Sequence, residues 1–382
     1  MDNCLKSLLN RTFATSFNPI HYLMKKTIFA LALAILCLHA WAQQSSSDYP
    51  QRIKLIHQNI YHSFHDDAAD LFYETNNHAL DENKHSFLWP LCALIQASNE
   101  MESLEPSKDY LKPVMKAINQ YYNSTPPSPG YQACVTKEKN DTRYYDDNQW
   151  IGIACMDAYN RTHKKQYLEI SKTIYRFMMN GYDTVSGSGI YWRENDKSSK
   201  NTCSNGPGIL LALQLYNVTK QKSYLDTAKL LYDWTNKNLL SPDGVYFDAL
   251  RMRDLKVDRA VYTYNTGTML QSNVLLFKAT GDKKYLEESK RLATAAEKYF
   301  YKNNQLPDNY WFNAVLLRGY VELYKIEKDK SRFKFFYDDA DRIWQHEKDE
   351  NGLLGKKKSK TLIDQSAMIE IYARLLAVKH IN

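Results

Sequence analysis

A short motif recurs along this chain at nearly constant spacing, and it limits the fold more than any other feature. The segments DAYNRTHKKQYL (157–168), QLYNVTKQKSYL (214–225) and LFKATGDKKYL (276–286) each close an apolar helical stretch, turn through a polar link and open a new helix with Tyr-Leu. Tyr-Leu pairs begin at Tyr110, Tyr167, Tyr224 and Tyr285, which are 57, 57 and 61 residues apart, and ELYKIEKDKSRF (322–333) is a weaker copy. Between the links apolar residues fall at i, i+3, i+4 and i+7, the helical period. Repeats of this length are helical hairpins in series.

Counting back from each link places the first helix of each hairpin. The starts fall at Trp89-Pro90, Asp146-Asp147, Ser204-Asn205, Tyr264-Asn265, Trp311-Phe312 and Asp364-Gln365. Six partner helices are predicted near 50–74, 108–122, 165–181, 222–238, 283–301 and 332–347. No helix in such a series buries its apolar face alone, so the pairs must stack. A ring of six inner helices inside six outer ones, an all-α (α/α)6 toroid, is the expected closure, and an open superhelical solenoid is the structural alternative. Strand-like runs at Gly189-Ile190-Tyr191-Trp192 and Val245-Tyr246-Phe247 predict small β-hairpins in the loops at the rim.

In a toroid the inner helices run parallel, so their N-termini open onto one cavity. Trp89, Asp146, Asp147, Asn205, Tyr264, Asn265, Trp311, Asp364 and Gln365 would meet there, a set too polar for a core. Tyr145 and Asn148 beside the aspartates, Trp192 in the strand-like run and Tyr262 next to Tyr264 complete the candidate substrate-binding set. The loops 123–145, 182–203 and 239–263 would build the cavity walls.

Asp-Asp occurs three times, at Asp66-Asp67, Asp146-Asp147 and Asp338-Asp339. The first and third fall in predicted partner helices, where a solvated face explains them. Asp146-Asp147, within YYDDNQW, falls at an inner-helix start. One aspartate caps a helix and suits its dipole. Two adjacent ones repel, which favours a chemical role. Glycosidic cleavage needs a protonated carboxyl to donate to the leaving oxygen and an ionised one to attack carbon or activate water. Adjacent Cα atoms are about 3.8 Å apart, so diverging side chains reach the roughly 5–5.5 Å of a retaining mechanism more readily than the wider inverting spacing. The charge of either aspartate raises the pKa of the other, and the spacing leaves open which does which.

Other chemistries find little support. HExxH, G-x-S-x-G and phosphate-binding loops are absent from the sequence. His57, His62 and His65 suit a solvent-facing or capping role on the first partner helix better than a metal site, and Cys203 lacks a histidine in the neighbouring repeats to activate it. No metal or organic cofactor is expected. The 29 tyrosines and 7 tryptophans supply flat surfaces on which sugar rings stack.

MKKTIFALALAILCLHAWAQQ, from Met24, has two lysines, an apolar run and the small residues Ala40 and Ala42, the form of an export signal. Residues 1–23 lie upstream of this start, which is taken as the true one, 24–42 form the signal peptide, and 43–382 form a single catalytic domain. The run Thr27 to Leu38 is shorter than the roughly 20 residues of a permanent span. Bulky residues before Cys37 argue against a lipoprotein. The mature chain is expected to be exported to the periplasm or beyond, with no integral membrane segment, as a monomer. Loss of residues 1–42 removes four basic residues and one acidic residue, lowering the formal net charge from +7 to +4. Scattered positive charge of this size excludes the basic stripe of a nucleic-acid binder. Lys356-Lys357-Lys358, the one dense basic run, reads as a solvated loop, and of the four remaining cysteines Cys92 and Cys155 read as buried thiols.

YYDDNQWIGIACMDAY, SNGPGILLALQLY and YTYNTGTMLQSN together resemble glycoside hydrolase family 76, the endo-α-1,6-mannanases, over Trp89 to Ser366. The resemblance implies an (α/α)6 fold, a retaining mechanism, Asp146 as nucleophile, Asp147 as acid/base, no cofactor, and the α-1,6-linked backbone of α-mannan as polysaccharide substrate. A mannan transglycosylase would use the same two carboxylates, and a non-catalytic glycan-binding protein would keep the aromatics. An unsaturated-uronide hydrolase or a sugar epimerase would need basic groups or a histidine base at ring positions that offer neither.

Overall fold

The computed structural model describes residues 48–380. The upstream stretch 1–23 and the export signal expected over 24–42 lie outside the described residues. Twelve α-helices follow in order among the described residues: α1 (Tyr49–Ser63), α2 (Leu88–Leu104), α3 (Leu111–Ile118), α4 (Tyr145–Thr162), α5 (Lys165–Met179), α6 (Thr202–Thr219), α7 (Lys222–Leu239), α8 (Thr263–Thr280), α9 (Lys283–Phe300), α10 (Tyr310–Glu327), α11 (Lys334–His346) and α12 (Leu362–His380). Even-numbered helices form the inner ring and odd-numbered ones the outer ring of an (α/α)6 toroid. The ring closes as α12 packs on both α1 and α2.

The repeated link has one physical form. His163, Lys220, Gly281 and Lys328 each end an inner helix in the left-handed conformation, with φ of 56°, 58°, 74° and 60°. In three of the four, the preceding threonine (Thr162, Thr219, Thr280) donates Oγ1–H to the carbonyl of Ala158, Leu215 or Leu276. The same oxygen accepts the N–H two residues on, from Lys164, Gln221 and Asp282. The last turn of helix is thus satisfied locally and the chain is turned into the next helix.

Burial separates the rings. α9 buries Tyr285, Ser289, Leu292, Ala293, Ala296 and Phe300, one stripe at helical spacing, as an outer helix with a solvated back should. The first twelve residues of α6, Thr202 to Leu213, are all buried. Glycines let two inner helices touch: a Cβ on Gly267 of α8 would lie 2.5 Å from the Leu316 Cα of α10, and one on Gly319 would lie 2.8 Å from the Gly267 carbonyl oxygen.

The toroid axis is polar where the repeat pattern predicts only helix packing. Arg318 of α10 clasps Glu370 of α12 with both nitrogens at 2.6 and 2.8 Å, and Arg374 joins Glu370 (2.8 Å) to Glu100 of α2 (2.7 Å). Gln96 donates to Glu100 and Asp157, and Gln214 donates to Asp157. Fixed donors around each buried carboxylate replace water there. Arg318 also lies 5.2 Å from the Trp150 ring, so the axial network supports the floor of the cavity above it.

Three local expectations change. The first outer helix stops at Ser63 rather than running to 74: Asp66 accepts the N–H groups of Ala68 and Ala69, forming the turn between β1 (His65–Asp66) and β2 (Leu71–Phe72). Asp66-Asp67 therefore does not lie on a helix, whereas Asp338-Asp339 does, paired with Lys334 and Arg342. A second short pair, β3 (Tyr122–Asn123) with β4 (Gly130–Tyr131), precedes α4. The two hairpins expected at the rim join edge to edge into one antiparallel sheet of β5 (Tyr191–Arg193), β6 (Asp196–Asn201), β7 (Phe247–Arg251) and β8 (Val257–Val261). β6 and β7 meet through Ser199↔Arg251, Lys200↔Leu250 and Asn201↔Ala249. Lys200, fully buried, binds the Asp183 carboxylate at 2.7 Å and the carbonyls of Val185 and Ser188, fixing this sheet to the loop before it.

Candidate active site

The second residue of five of the six inner helices builds the site. Trp89, Asp146, Cys203, Tyr264 and Trp311 hold this place in α2, α4, α6, α8 and α10, and all five line one cleft of about 580 Å³ on the N-terminal face. Counting 17 residues back from His163, Lys220, Gly281 and Lys328 reaches Asp146, Cys203, Tyr264 and Trp311. Equal helix lengths and one turn geometry therefore aim these side chains together. Tyr264 stacks on Phe312 with centroids 4.0 Å apart, and Trp311 stands edge-on to both Trp89 (6.1 Å) and Trp150 (5.2 Å). The Trp311 Nε1–H, in a side chain only 3% exposed, finds no acceptor among the described residues.

Asp146 and Asp147 sit half-buried at the bottom of this cleft, in different surroundings. Asp146 accepts Nε1–H of Trp192 at 3.2 Å and the Asp147 backbone N–H at 3.1 Å, and the thiol of Cys203 donates to it as well. The Asp147 carboxyl receives no hydrogen bond from a described residue. Burial pushes Asp146 up to about 6, eased by those donors, whereas burial and then the charge of Asp146 push Asp147 well above the usual carboxylate range. Cys203 is held as the neutral thiol by burial and by Asp146 beside it, which makes it a donor rather than a nucleophile.

Supporting contacts fix this end of α4. Arg143, next to the helix start, grips Glu194 with two nitrogens (2.7 and 2.6 Å) and the carbonyls of Thr125 and Ser128. Trp192, on β5, packs on Tyr144 at 5.1 Å and closes one side of the cleft. The thiol of Cys92 donates to the Asp147 carbonyl from below.

Of the residues expected to contact substrate, the structure brings Trp89, Asp146, Asp147, Trp192, Tyr262, Tyr264 and Trp311 to the cleft. Tyr145 is buried against Phe177. Asn148, Asn205 and Gln365 are fully buried in a different task. Each amide clamps the loop ahead of its helix, bonding both N–H and C=O of Tyr131, Ile190 and Leu354 respectively. Thr266 does part of this in α8, accepting Tyr246 N–H at 3.2 Å. Asn265 is also fully buried and holds Asp248 from behind. Asp364 lines an adjoining cavity instead of the cleft.

The sequence-derived candidate set left out Tyr144, Asp248 and Phe312, among others that line the cleft, and weighed Cys203 only as a nucleophile. Cys203 was legible: aligning the repeats on the turn residue, rather than on the polar pair, selects Cys203-Ser204 in place of Ser204-Asn205. Asp248 has no repeat counterpart, because β7 carries it into the cleft between the amides of Asn201 (3.4 Å) and Asn265 (3.3 Å). Burial raises its pKa. None of the four described cysteines is in a disulfide, and all four are buried. No cluster of metal-binding side chains occurs among the described residues.

Comparison with known proteins agrees with this geometry. The mannan endo-1,6-alpha-mannosidase DCW1 of Candida glabrata is 29% identical over 188 residues, 45% of this chain and 42% of that protein, and its Saccharomyces cerevisiae counterpart is 28% identical over 184 residues, 44% and 41% of the two chains. The match thus spans less than half the length of these curated relatives. Among solved structures, a GH76 alpha-mannanase of Bacteroides thetaiotaomicron superposes with a TM-score of 0.81 at 27% identity, covering 87% of this chain and 96% of that one. Residues 51–337, which take in five of the six inner helices and the whole cleft floor, match Glycosyl hydrolase family 76, and the chain belongs to that family.

Proposed function

We propose that this protein is an exported hydrolase that cuts α-1,6-mannosidic bonds within the backbone of α-mannan, with retention of configuration. One observation carries the reading: of two adjacent carboxyls in an aromatic cleft, Asp146 accepts three hydrogen bonds and Asp147 accepts none from a described residue. Asp146, with three donors, is held as the anion, and Asp147, with none and a negative neighbour, is held as the acid. A retaining glycosidase needs this division. Support for the linkage and sugar comes from the names of the two yeast relatives and of the Bacteroides structure.

In the first step Asp147 gives its proton to the glycosidic oxygen while a carboxylate oxygen of Asp146 attacks the anomeric carbon. The bond to the leaving sugar breaks and a glycosyl ester of Asp146 forms. Asp147, now ionised, takes a proton from water, and the water oxygen attacks the same carbon and releases Asp146. The exposed ring of Trp192 and the partly exposed rings of Trp89 and Tyr262 hold sugar rings, and Asp248 is placed to accept sugar hydroxyls.

Incubation with debranched α-1,6-mannan followed by product sizing tests the reading. Expected are oligosaccharides whose newly formed reducing ends keep the α configuration, and loss of release in Asp146→Asn and Asp147→Asn. Absence of release by the parent, or undiminished release by both variants, refutes it. Product analysis with an added glycan acceptor reports whether water or a sugar hydroxyl meets the ester.

A further inference from the structure

A second cavity, of about 320 Å³, adjoins the cleft and shares Trp89 with it. It lies on the same N-terminal face, between the start of α10 (Asp308, Tyr310), the start of α12 (Asp364) and the loop carrying Lys356 and Lys357. Loop and cavity are built rather than open surface. The backbones of Asn76 and Leu362 bond to Lys360 and Glu74, and the Lys360 ammonium is turned back onto the Gly355 carbonyl. Glu74 ties the two spaces together, because its carboxylate accepts the N–H of Phe87, a cleft residue.

The chemistry of the lining is specific in kind. Glu74, Asp308 and Asp364 supply acceptors, and their protonation is shifted upward by burial, as in a sheltered polar pocket. Lys356 and Lys357 are exposed and reach no carboxylate of a described residue at ion-pair distance, although the charge of Lys357 acts on Asp364 in the same cavity. Carboxylate acceptors in the lining, exposed lysine donors and an indole shared with the cleft match the alternating hydroxyls and apolar faces of a pyranose. With three carboxylates facing two lysines, the pocket does not favour an anionic ligand.

We propose that this cavity is a distal subsite for uncharged hexose units of the same glycan chain, which passes over Trp89 to reach it. The inference rests on the mannanase reading above and extends it. Occupation by the continuing chain makes long backbones better substrates than short ones and selects cleavage inside a chain over removal of its end residue. Lys356, Lys357 and Asp364 are then residues that set chain-length specificity, and they do not touch the reacting atoms.

The test is the ratio of kcat/KM for long over short α-1,6-manno-oligosaccharides, measured for the parent, for Lys356→Ala/Lys357→Ala and for Asp364→Asn. In the parent the ratio rises with length before levelling off. In the variants it falls roughly tenfold, the effect of losing one hydrogen bond to a charged group. The lysines are exposed, so the double variant folds as the parent does, and it keeps the test decisive should Asp364→Asn disturb the start of α12. A parent ratio that is flat with length, or variants with the parent ratio, overturns the subsite while leaving the activity standing. A parent inactive on every length overturns both readings.

Discussion

The indole N–H of Trp192 donates to the Asp146 carboxylate at 3.2 Å across the gap between the rim sheet and an inner helix. The sheet therefore takes part in the electrostatics of the carboxylate pair as well as walling the cleft. A donor to a carboxylate favours its charged form and lowers its pKa.

Replacing Trp192 with Phe removes that donor and keeps much of the apolar surface. The Asp146 pKa then rises from about 6, and the acidic limb of the kcat/KM profile moves to higher pH by about one unit, the equivalent of 1.4 kcal/mol. A pH series on linear mannan oligosaccharides checks this. A limb that stays in place means the indole acts by packing alone.

The buried amides separate support from substrate contact. Asn205→Ala leaves the Ile190 N–H without its acceptor, while the Ile190 carbonyl keeps the Ser204 hydroxyl, at about 1–3 kcal/mol for the group left unsatisfied. Thermal unfolding is expected to begin several degrees lower, with KM changed only as far as the 182–203 loop loosens. Were Asn205 a sugar contact, KM would rise at unchanged melting temperature.

The axial ion pairs make stability depend on acid. Burial disfavours the charged form of Glu370, but Arg318 and Arg374 outweigh it and hold its pKa below the ordinary value. A depressed carboxylate pKa contributes stability above the ordinary carboxylate range, and that contribution is lost as pH falls through the depressed value. Arg318→Met should cost about 3–5 kcal/mol near neutrality, because it leaves a buried charge without its bidentate partner. The variant should also lose less than the parent on acidification. Urea midpoints at neutral and acidic pH report both effects.

Helix contact through glycine gives a sharper packing test. A methyl group on Gly267 would lie 2.5 Å from Leu316 Cα and 2.7 Å from the Val315 carbonyl oxygen, both main-chain atoms. Gly267→Ala should cost about 1–3 kcal/mol or more through overpacking, whereas Gly281→Ala, with open space around it, carries only the strain of a left-handed turn. Chemical denaturation of the two variants side by side distinguishes clash from strain.

The sequence by itself determined the series of helical hairpins. A 3.6-residue apolar period and a turn repeated at fixed intervals specify helices of set length and alternating direction, and these are local properties of the chain. It also singled out Asp146-Asp147 from Asp66-Asp67 and Asp338-Asp339, because its place relative to the next turn is countable. Only the tertiary structure decided which face each residue of a helix start presents. One residue along a helix rotates a side chain by about 100°, so a slip of one position moved the selected pair from Cys203-Ser204 to Ser204-Asn205, dropping the cleft-lining thiol and admitting the loop-clamping amide of Asn205. Asp248, Trp192 and the Arg318–Glu370 pair depend on chain segments far apart in sequence. Their pairing follows from the closure of the ring, which no local pattern encodes.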